Sequence, residues 1–376
     1  MRVGDLFALP LGRGYKPAGE PRQLTTGRTD SGGMALDAGG RGILTFRYHD
    51  GLPGFWKIGT GSPARRAPVP LEIARTSGLS VSAQAHRLVY SQVSHDPSIW
   101  RLDLVQGGQP VEWIASTKRD EEPAYSPAGD RIVFVSGRTG HPELWLARAD
   151  GTGLVQRTSF GGPLVGRPAW RPDGRAIGSS GQQGGLRVRI EIDAGRGPPR
   201  RSNPLIEPNA TWSRDGQWRY FARFKLGWNV FKAPTTNGDI VQVTRLAGAG
   251  AQESPDGNYL YYAKRLDLGP DYPSEPNALW RMPLEGGEGR AEEVASSLFS
   301  LRTFTVSAGG AYFIGAAQRG GYPLQFFDAA SRRISTSHTL SRPPAGGTSL
   351  SPDGRYLPWS QAGNSGSDLW LVENFR

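Results

Sequence analysis

A short turn motif recurs along the whole chain, and this repeat limits the possible folds more than any other feature of the sequence. Its eight copies begin at residues 37, 82, 126, 171, 213, 254, 307 and 351. The spacing between copies is 41–53 residues. Four of the five clearest copies have an Asp-Gly core, in two of them as Ser-Pro-Asp-Gly, and the copy at Ser126 reads Ser-Pro-Ala-Gly. The copies at Asp37, Ser82 and Ser307 are weaker. A repeat of this length is typical of solenoids and propellers.

The residues around each turn follow a common pattern. In the turn, Pro presets φ, Asp caps locally and Gly takes a positive φ. An apolar stretch such as 131–136 comes next, and after a polar loop an apolar-aromatic pair such as Leu144-Trp145. A last short segment often ends in Thr, as at Thr158 and Thr244. The pattern predicts four short strands per repeat, which we call A to D, with the turn joining A to B.

Four strands in about 40–45 residues is typical of a blade of a β-propeller. One blade cannot bury both of its faces alone, so blades pack face to face around an axis. We therefore predict an all-β fold, a single β-propeller over residues 1–376 with eight four-stranded blades. Seven or six blades are the alternatives.

The two ends of the chain carry the strands that are missing from a complete ring. The eighth repeat has strands A to C, whereas residues 1–27 contain a C-like strand near Asp5 and a D-like strand at 21–25. An open propeller would expose strand edges, which promote aggregation. We therefore expect residues 21–25 to close the last blade with 341–376 by pairing beside 368–373.

The composition excludes several classes of function. The chain has no Cys, which excludes disulfides, a thiolate nucleophile and a Cys-based metal site. The net charge is +10, but the basic residues are spread along the chain, so we expect no direct nucleic-acid binding. No apolar run approaches the roughly 18 residues of a spanning helix. The N-terminus has no apolar h-region. We expect no membrane span, no signal peptide and a monomer.

The repeats resemble those of TolB-like β-propellers with Ser-Pro-Asp-Gly turns, a WD-like repeat class. More closely, the chain resembles the propeller half of bacterial, acidobacterial-type winged-helix sensor proteins, in the stretches 19–25, 158–166, 253–262 and 371–376. The resemblance spans nearly the whole chain. It implies a ligand-sensing or protein-interaction propeller in the bacterial cytoplasm or periplasm. The winged helix itself is missing from this sequence, and the family has no shared catalytic motif to carry over.

Charged and polar residues precede strand A in three consecutive repeats. In a four-stranded blade the D–A and B–C loops lie on one face, and strand A is innermost. We therefore expect these residues to line the mouth of the central channel and to hold a polar ligand, an ion or a partner's peptide. Solvated loop charges are the alternative. The candidate ligand-binding residues are Asp120, Glu121, Glu122, Arg167, Glu207 and Asn209.

Histidines occur on the B–C loops of the first three repeats, at His49, His95 and His141. Histidine with carboxylates can bind a divalent metal or activate a water. These three residues are the candidate metal ligands, a divalent cation is the candidate cofactor, and His141 is also a candidate ligand-binding residue. Equivalent points on adjacent blades are more than one metal–ligand distance apart, so a shared site would need loops that bend inward. Surface turn residues are the simpler interpretation.

The sequence lacks the usual nucleophile motifs. No Gly-x-Ser-x-Gly elbow lies between a strand and a helix, and the Gly-rich tract at 178–185 has no helix after it. The first hypothesis is therefore a non-enzymatic ligand-sensing or protein-interaction propeller that takes a protein or a small polar ligand at the channel mouth. The alternative is a metal-assisted hydrolase of small esters, lactones or phosphoesters at the top of the channel.

Overall fold

The structure of the chain is a computed structural model, and it is all-β. Its described strands form nine sheets. In the part of the chain that the structure describes, no helix has the length and apolarity that crossing a membrane would require. The structure describes residues 3–4, 6–25, 29–37, 41–49, 52–61, 65–69, 76–82, 84, 86–94, 96–161, 166–183, 186–195, 197–204, 210–224, 228–236, 238–264, 278–363 and 366–375.

The chain divides into two compact units. The first holds the described residues of Met1–His95 and Asn364–Arg376, and the second those of Asp96–Pro270 and Ser274–Gly363. The strands of the first unit are β1 (Val3–Gly4), β2 (Phe7–Ala8), β3 (Arg22–Gln23), β4 (Thr29–Leu36), β5 (Gly42–His49), β6 (Leu52–Gly59), β7 (Arg66–Val69), β8 (Thr76–Ser82), β9 (Arg87–Ser94) and the last strand of the chain, β34 (Gly366–Val372). A short 3-10 helix, Arg13–Tyr15, lies between β2 and β3.

The second unit contains the strands that follow the repeat most regularly. In chain order they are β10 (Ser98–Asp103), β11 (Val111–Ile114), β12 (Asp120–Tyr125), β13 (Arg131–Ser136), β14 (Glu143–Arg148), β15 (Val155–Gln156), β16 (Gly166–Trp170), β17 (Ala176–Gln183), β18 (Leu186–Asp193), β19 (Arg200–Pro204), β20 (Thr211–Trp212) and β21 (Trp218–Phe224). They continue with β22 (Trp228–Pro234), β23 (Val241–Gln242), β24 (Ala249–Glu253), β25 (Tyr259–Lys264), β26 (Ala278–Pro283), β27 (Glu292–Ala295), β28 (Phe304–Ser307), β29 (Gly310–Ile314), β30 (Tyr322–Asp328), β31 (Arg333–Leu340), β32 (Pro344–Thr348) and β33 (Tyr356–Gln361). A 3-10 helix, Gly287–Arg290, precedes β27.

These strands form six four-stranded antiparallel sheets among the described residues. Five sheets are consecutive in the chain, from β12–β15 to β28–β31, and the sixth has the order β11-β10-β33-β32. Each first strand contacts the first strand of the next sheet, and β32 contacts β12. The first strands β12, β16, β20, β24, β28 and β32 therefore form a closed circuit. The sixth sheet combines strands from both ends of the unit, β10 and β11 with β32 and β33. Because its first strand, β32, contacts both β28 and β12, the circuit of first strands has no gap.

The turn between the first two strands of a sheet has the predicted geometry. In the copy at Ser254, the hydroxyl of Ser254 donates to the Asp256 carboxylate and accepts from the backbone N–H of Tyr259 at 2.9 Å. Gly257 has a φ of +76°. The repeated motif thus positions strands A and B by hydrogen bonds within the turn, as the sequence indicated.

The cores of the second unit lie between neighbouring sheets. Apolar side chains of β13 and β14, among them Val133 and Leu144, pack against Trp170, Ile177 and Ile190 of the next sheet. Each sheet is therefore apolar on the faces that meet its neighbours. The face-to-face packing expected of propeller blades is observed here.

Closure of the chain ends differs from the expected pairing. Residues 22–23 pair with Phe7–Ala8, and Gly366–Val372 pairs with Arg87–Ser94. The sixth sheet of the second unit is closed by β33 and β10, which places Trp359 opposite Trp100. The expected pairing of 21–25 with 368–373 is therefore not observed, because β3 and β34 have other partners. Eight blades are not confirmed either.

The first unit contains a five-stranded sheet, a three-stranded sheet and a two-stranded sheet among the described residues. The five-stranded sheet has the order β1-β4-β5-β6-β7, and the three-stranded sheet the order β34-β9-β8. Phe46 and Phe55 of the larger sheet pack with Leu88 and Tyr90 of the smaller one. Strand β34 occupies the position of a strand C, and no described strand pairs with its outer edge.

Strand β34 has nearly the sequence of β14 but a different environment. Residues 368–372 read Asp-Leu-Trp-Leu-Val and residues 143–147 read Glu-Leu-Trp-Leu-Ala. Leu144 is fully buried between two sheets, whereas Leu369, at the same place in the pattern, is 78% exposed. The same local sequence therefore forms an interior strand in one unit and an exposed edge strand in the other.

This pair of leucines gives a test of the architecture. Leu144→Ala should lower the free energy of unfolding by about 2–5 kcal/mol, because it opens a cavity in a packed core. Leu369→Ala should change it by no more than about 0.5 kcal/mol, because the side chain is exposed. Urea unfolding, monitored by circular dichroism, measures the unfolding free energies of both variants. Equal losses in the two variants would show that β34 is packed as an interior strand.

The turns also predict a pH dependence. The Ser254 hydroxyl, with the backbone N–H of Asn258, lowers the pKa of the Asp256 carboxyl below its usual value. The ionised carboxylate therefore stabilises the fold above the unfolded pKa of about 3.9, and this contribution is lost as the pH falls through the folded pKa. The difference in unfolding free energy between the wild type and Asp256→Asn should shrink between pH 7 and pH 2. Ser254→Ala should reduce the same pH dependence, and parallel curves for the wild type and Asp256→Asn would contradict this explanation.

Candidate functional site

A small cavity lies where the six first strands of the second unit converge. Its volume is about 120 Å³. Every one of the six sheets contributes to the wall, either from its first strand or from the connection that leads to it. One lining residue from each sheet, in chain order, is Glu122, Arg167, Thr211, Gln252, Arg302 and Thr348. We call this cavity the channel mouth.

Four of the first strands carry the same irregularity beside the channel mouth. Each has a β-bulge, and one residue in it has a left-handed backbone. The φ angles are +58° at Glu122, +54° at Arg167, and +64° at both Gly250 and Gly347. All four residues stand four positions before the first residue of their turn motif. The repeat therefore specifies a bulge as well as a turn.

Glycine is the residue that adopts this backbone most easily. A residue with a Cβ atom loses roughly 1–2 kcal/mol in the left-handed region. Two of the four repeats use Gly here, but Glu122 and Arg167 accept the strain. Strained backbone of this kind concentrates at functional sites, where the side chain is needed despite its conformational cost. The side chains of Glu122 and Arg167 are therefore the first candidates for a functional role.

The Glu122 carboxylate joins three sheets of the ring. Its Oε1 atom accepts a hydrogen bond from Nη1 of Arg302 at 2.7 Å, and its Oε2 atom accepts from the backbone N–H of Arg167. The backbone N–H of Glu122 donates to the Ser360 hydroxyl at 2.8 Å. Arg302 precedes β28, two sheets away around the circuit from β12. The ion pair thus spans the mouth instead of joining neighbouring loops.

The backbone of β32 runs unusually close to Glu122. A Cβ atom at Gly347 would lie 2.5 Å from the Cα atom of Glu122. Gly347 also has a left-handed backbone, so two separate constraints require glycine at this position. The close approach fixes Glu122 from the side opposite to Arg167.

The two acidic residues next to Glu122 have different surroundings. Asp120 is fully buried and forms an ion pair with Arg138 at 2.8 Å. Glu121 pairs with Arg119 at 2.8 Å. Burial raises the pKa of the Glu121 carboxyl, and the neighbouring Glu122 charge acts in the same direction, against the opposing effect of Arg119. Both carboxylates have cationic partners away from the cavity wall.

The other candidate residues do not join this cluster in the described part of the chain. His141 is exposed on the loop before β14. His49 ends strand β5 in the first unit, and its side chain lies outside the described residues. His95, Glu207 and Asn209 also lie outside them. Over the described ranges, no three His, Cys, Asp or Glu side chains come together as a metal site.

The structure differs from the sequence analysis in two details of the site. Glu122 and Arg167 lie within the first strands of their sheets, not in the loops before them, because the bulge lets each strand begin earlier. Arg302 was missed, since its repeat has the weak motif at Ser307 and the longest spacing from the copy before. The sequence did contain a signal for the bulge, since the position four residues before the turn is Gly in several repeats but charged at Glu122 and Arg167.

The sequence of the chain has limited similarity to known proteins. No family model matches the chain. An uncharacterized peptidase, YuxL, from Bacillus subtilis (strain 168) is 33% identical over 86 residues, which is 22% of this chain and 13% of that protein. The chain thus spans only a small part of this curated relative.

The structural neighbours have little sequence identity to the chain. TolB from Acinetobacter baumannii has a TM-score of 0.51 at 14% identity, over 87% of this chain and 78% of TolB. A puromycin-hydrolyzing peptidase of Mycobacterium tuberculosis has a TM-score of 0.46 at 15% identity, over 84% of this chain and 54% of the peptidase. The resemblance to TolB-like proteins expected from the repeats is confirmed at the level of the fold: the chain is an all-β protein with the TolB-like β-propeller fold.

Proposed function

We propose that the chain is a non-enzymatic binding propeller that takes a small polar ligand or a partner's peptide at the channel mouth. The observation that carries this proposal is the retained strain at Glu122 and Arg167. Two sister repeats place Gly at the same position, so the fold does not require these side chains. A function at the mouth explains why they are kept.

The state of Glu122 favours binding over catalysis. A general base or nucleophile needs a free oxygen within reach of the substrate. Both oxygens of the Glu122 carboxylate already accept hydrogen bonds, from Arg302 and from the Arg167 backbone. An engaged carboxylate of this kind orients cationic groups around it, which is the role expected in a recognition site.

The alternative is the metal-assisted hydrolase of small esters, lactones or phosphoesters. Its support is the partial similarity to the peptidase YuxL, which covers 22% of the chain. Such an enzyme would need a set of metal-ligating side chains, and the described residues bring no three of them together. Turnover of a chromogenic ester panel, with and without a chelator, separates the two proposals.

Replacing a strained residue by glycine separates binding from folding. Arg167→Gly removes the side chain and relieves the left-handed strain while the backbone N–H that bonds Glu122 is retained. The free energy of unfolding should be unchanged or raised by up to about 1 kcal/mol. Binding of fluorescent pentapeptides from a mixed array, measured by polarisation, should weaken by at least about tenfold.

The matched control is Arg319→Ala, which removes an exposed arginine on the loop between β29 and β30. It should leave peptide binding unchanged. If Arg167→Gly binds the same peptides as tightly as the wild type, the function does not reside at the channel mouth. Chelator-sensitive ester turnover would favour the hydrolase instead.

A further inference from the structure

We infer that the channel mouth recognises a single carboxylate group, either of a small organic acid or at the free C-terminus of an extended peptide. This inference rests on the proposed function and names the chemistry of its ligand.

The wall offers hydrogen-bond donors whose capacity the described residues leave unused. Arg302 has five N–H donors on its guanidinium group, and one of them bonds the Glu122 side chain. The Thr348 hydroxyl is buried at the wall and has no partner among the described residues. A buried hydroxyl without a partner destabilises a protein by about 1–3 kcal/mol. A ligand oxygen that accepts a hydrogen bond from this hydroxyl would therefore bind more tightly.

The charged acceptor at the wall, by contrast, is already paired with a cation, Arg302. Both oxygens of Glu122 accept hydrogen bonds from the protein. The Gln252 amide donates to the Phe304 carbonyl at 3.1 Å, and the Thr211 hydroxyl donates to the Ala251 carbonyl at 2.5 Å. A cationic ligand would therefore meet a carboxylate that is already engaged. An anionic ligand would meet donors from two sheets of the ring.

The charged side chains of the wall favour a monoanion. They are Arg167, Arg302 and Glu122. A carboxylate brings one negative charge to the guanidinium of Arg302, whereas a phosphate dianion would bring two negative charges beside Glu122. The Arg302 side chain is 40% exposed, and its planar guanidinium matches the two oxygens of a carboxylate.

The volume limits the ligand to a small group or a chain end. Pockets for drug-sized molecules usually have about 300–1,000 Å³. The channel mouth has about 120 Å³. An acid of a few carbon atoms, or the last residue of a peptide, is therefore the expected occupant.

The test compares acetyl-Ala-Ala-Ala as the free acid with its C-terminal amide, by isothermal titration calorimetry on the full chain. The acid should bind at least about tenfold more tightly than the amide, since a charge-assisted fork is lost in the amide. Propionate and inorganic phosphate are the further probes. If propionate displaces the peptide acid as well as the peptide acid itself does, a small organic acid is sufficient for recognition. If the peptide acid binds more tightly than propionate, the preferred ligand is the C-terminus of a peptide.

Two variants test the assigned donors. Arg302→Lys keeps the positive charge but loses the planar fork, and it should weaken binding of the acid by at least about tenfold. Thr348→Val has nearly the same shape without the hydroxyl and should weaken binding several-fold. It leaves the Glu122–Arg302 ion pair in place, so it stays informative even if Arg302→Lys loosens the mouth. Arg319→Ala again serves as the control.

The outcomes separate this inference from the proposed function. Equal binding of acid and amide, with both lost in Arg167→Gly, would overturn the carboxylate assignment while the peptide-binding site stands. Phosphate that binds more tightly than the peptide acid would also overturn it, as would full binding in both Arg302→Lys and Thr348→Val. If the wild type binds neither acid nor amide, the assignment fails, and the pentapeptide array decides the proposed function by itself.

Discussion

The carboxylate of Glu122 is the interaction on which the channel mouth depends. It accepts from Arg302 across the mouth and from the Arg167 backbone beside it, so one side chain connects three of the six sheets. Its backbone is fixed in turn by Ser360 and by the close passage of Gly347. These contacts hold the wall in one arrangement, so a ligand of the kind we propose would lose less entropy on binding to it.

The strain at this site follows from the architecture of the ring. Four of the six first strands bend at a β-bulge, and each bulge contains a left-handed residue. Glycine satisfies that requirement at Gly250 and Gly347 with little strain. Glu122 and Arg167 use the same backbone to direct charged groups toward the cavity. The bulge is therefore a regular feature of the fold and also a position at which the side chain differs between repeats.

Local features of the fold were predictable from the sequence because they depend on residues that are close in the chain. The Ser-Pro-Asp-Gly turn at Ser254 contains its own hydrogen-bond partners, so its geometry can be inferred from the residues alone. The all-β fold, the strand order within a blade and the placement of Glu122 and Arg167 near strand A follow from the repeat. Their positions inside a strand were not predicted, because the glycine that marks the bulge in other repeats, as at Gly250 and Gly347, is replaced here by a charged residue.

Strand partners could not be predicted in the same way. Strands β14 and β34 have nearly the same sequence, yet Leu144 is buried and Leu369 is exposed. A strand pattern specifies which face is apolar but not which of several similar edges it joins, and all repeats offer similar edges. For that reason the described strands have other partners than those expected for residues 21–25. Arg302 was missed because its contact with Glu122 connects residues 180 positions apart.

The most direct measurement of this account is a double-mutant cycle on Glu122→Gln and Arg302→Ala, read as free energies of unfolding of the full chain. If the ion pair organises the mouth, the two changes should be coupled by at least about 1 kcal/mol. The partial exposure of Arg302 keeps the expected value below that of a fully buried pair. A coupling within about 0.3 kcal/mol of zero would show that the two residues act independently and would contradict the account.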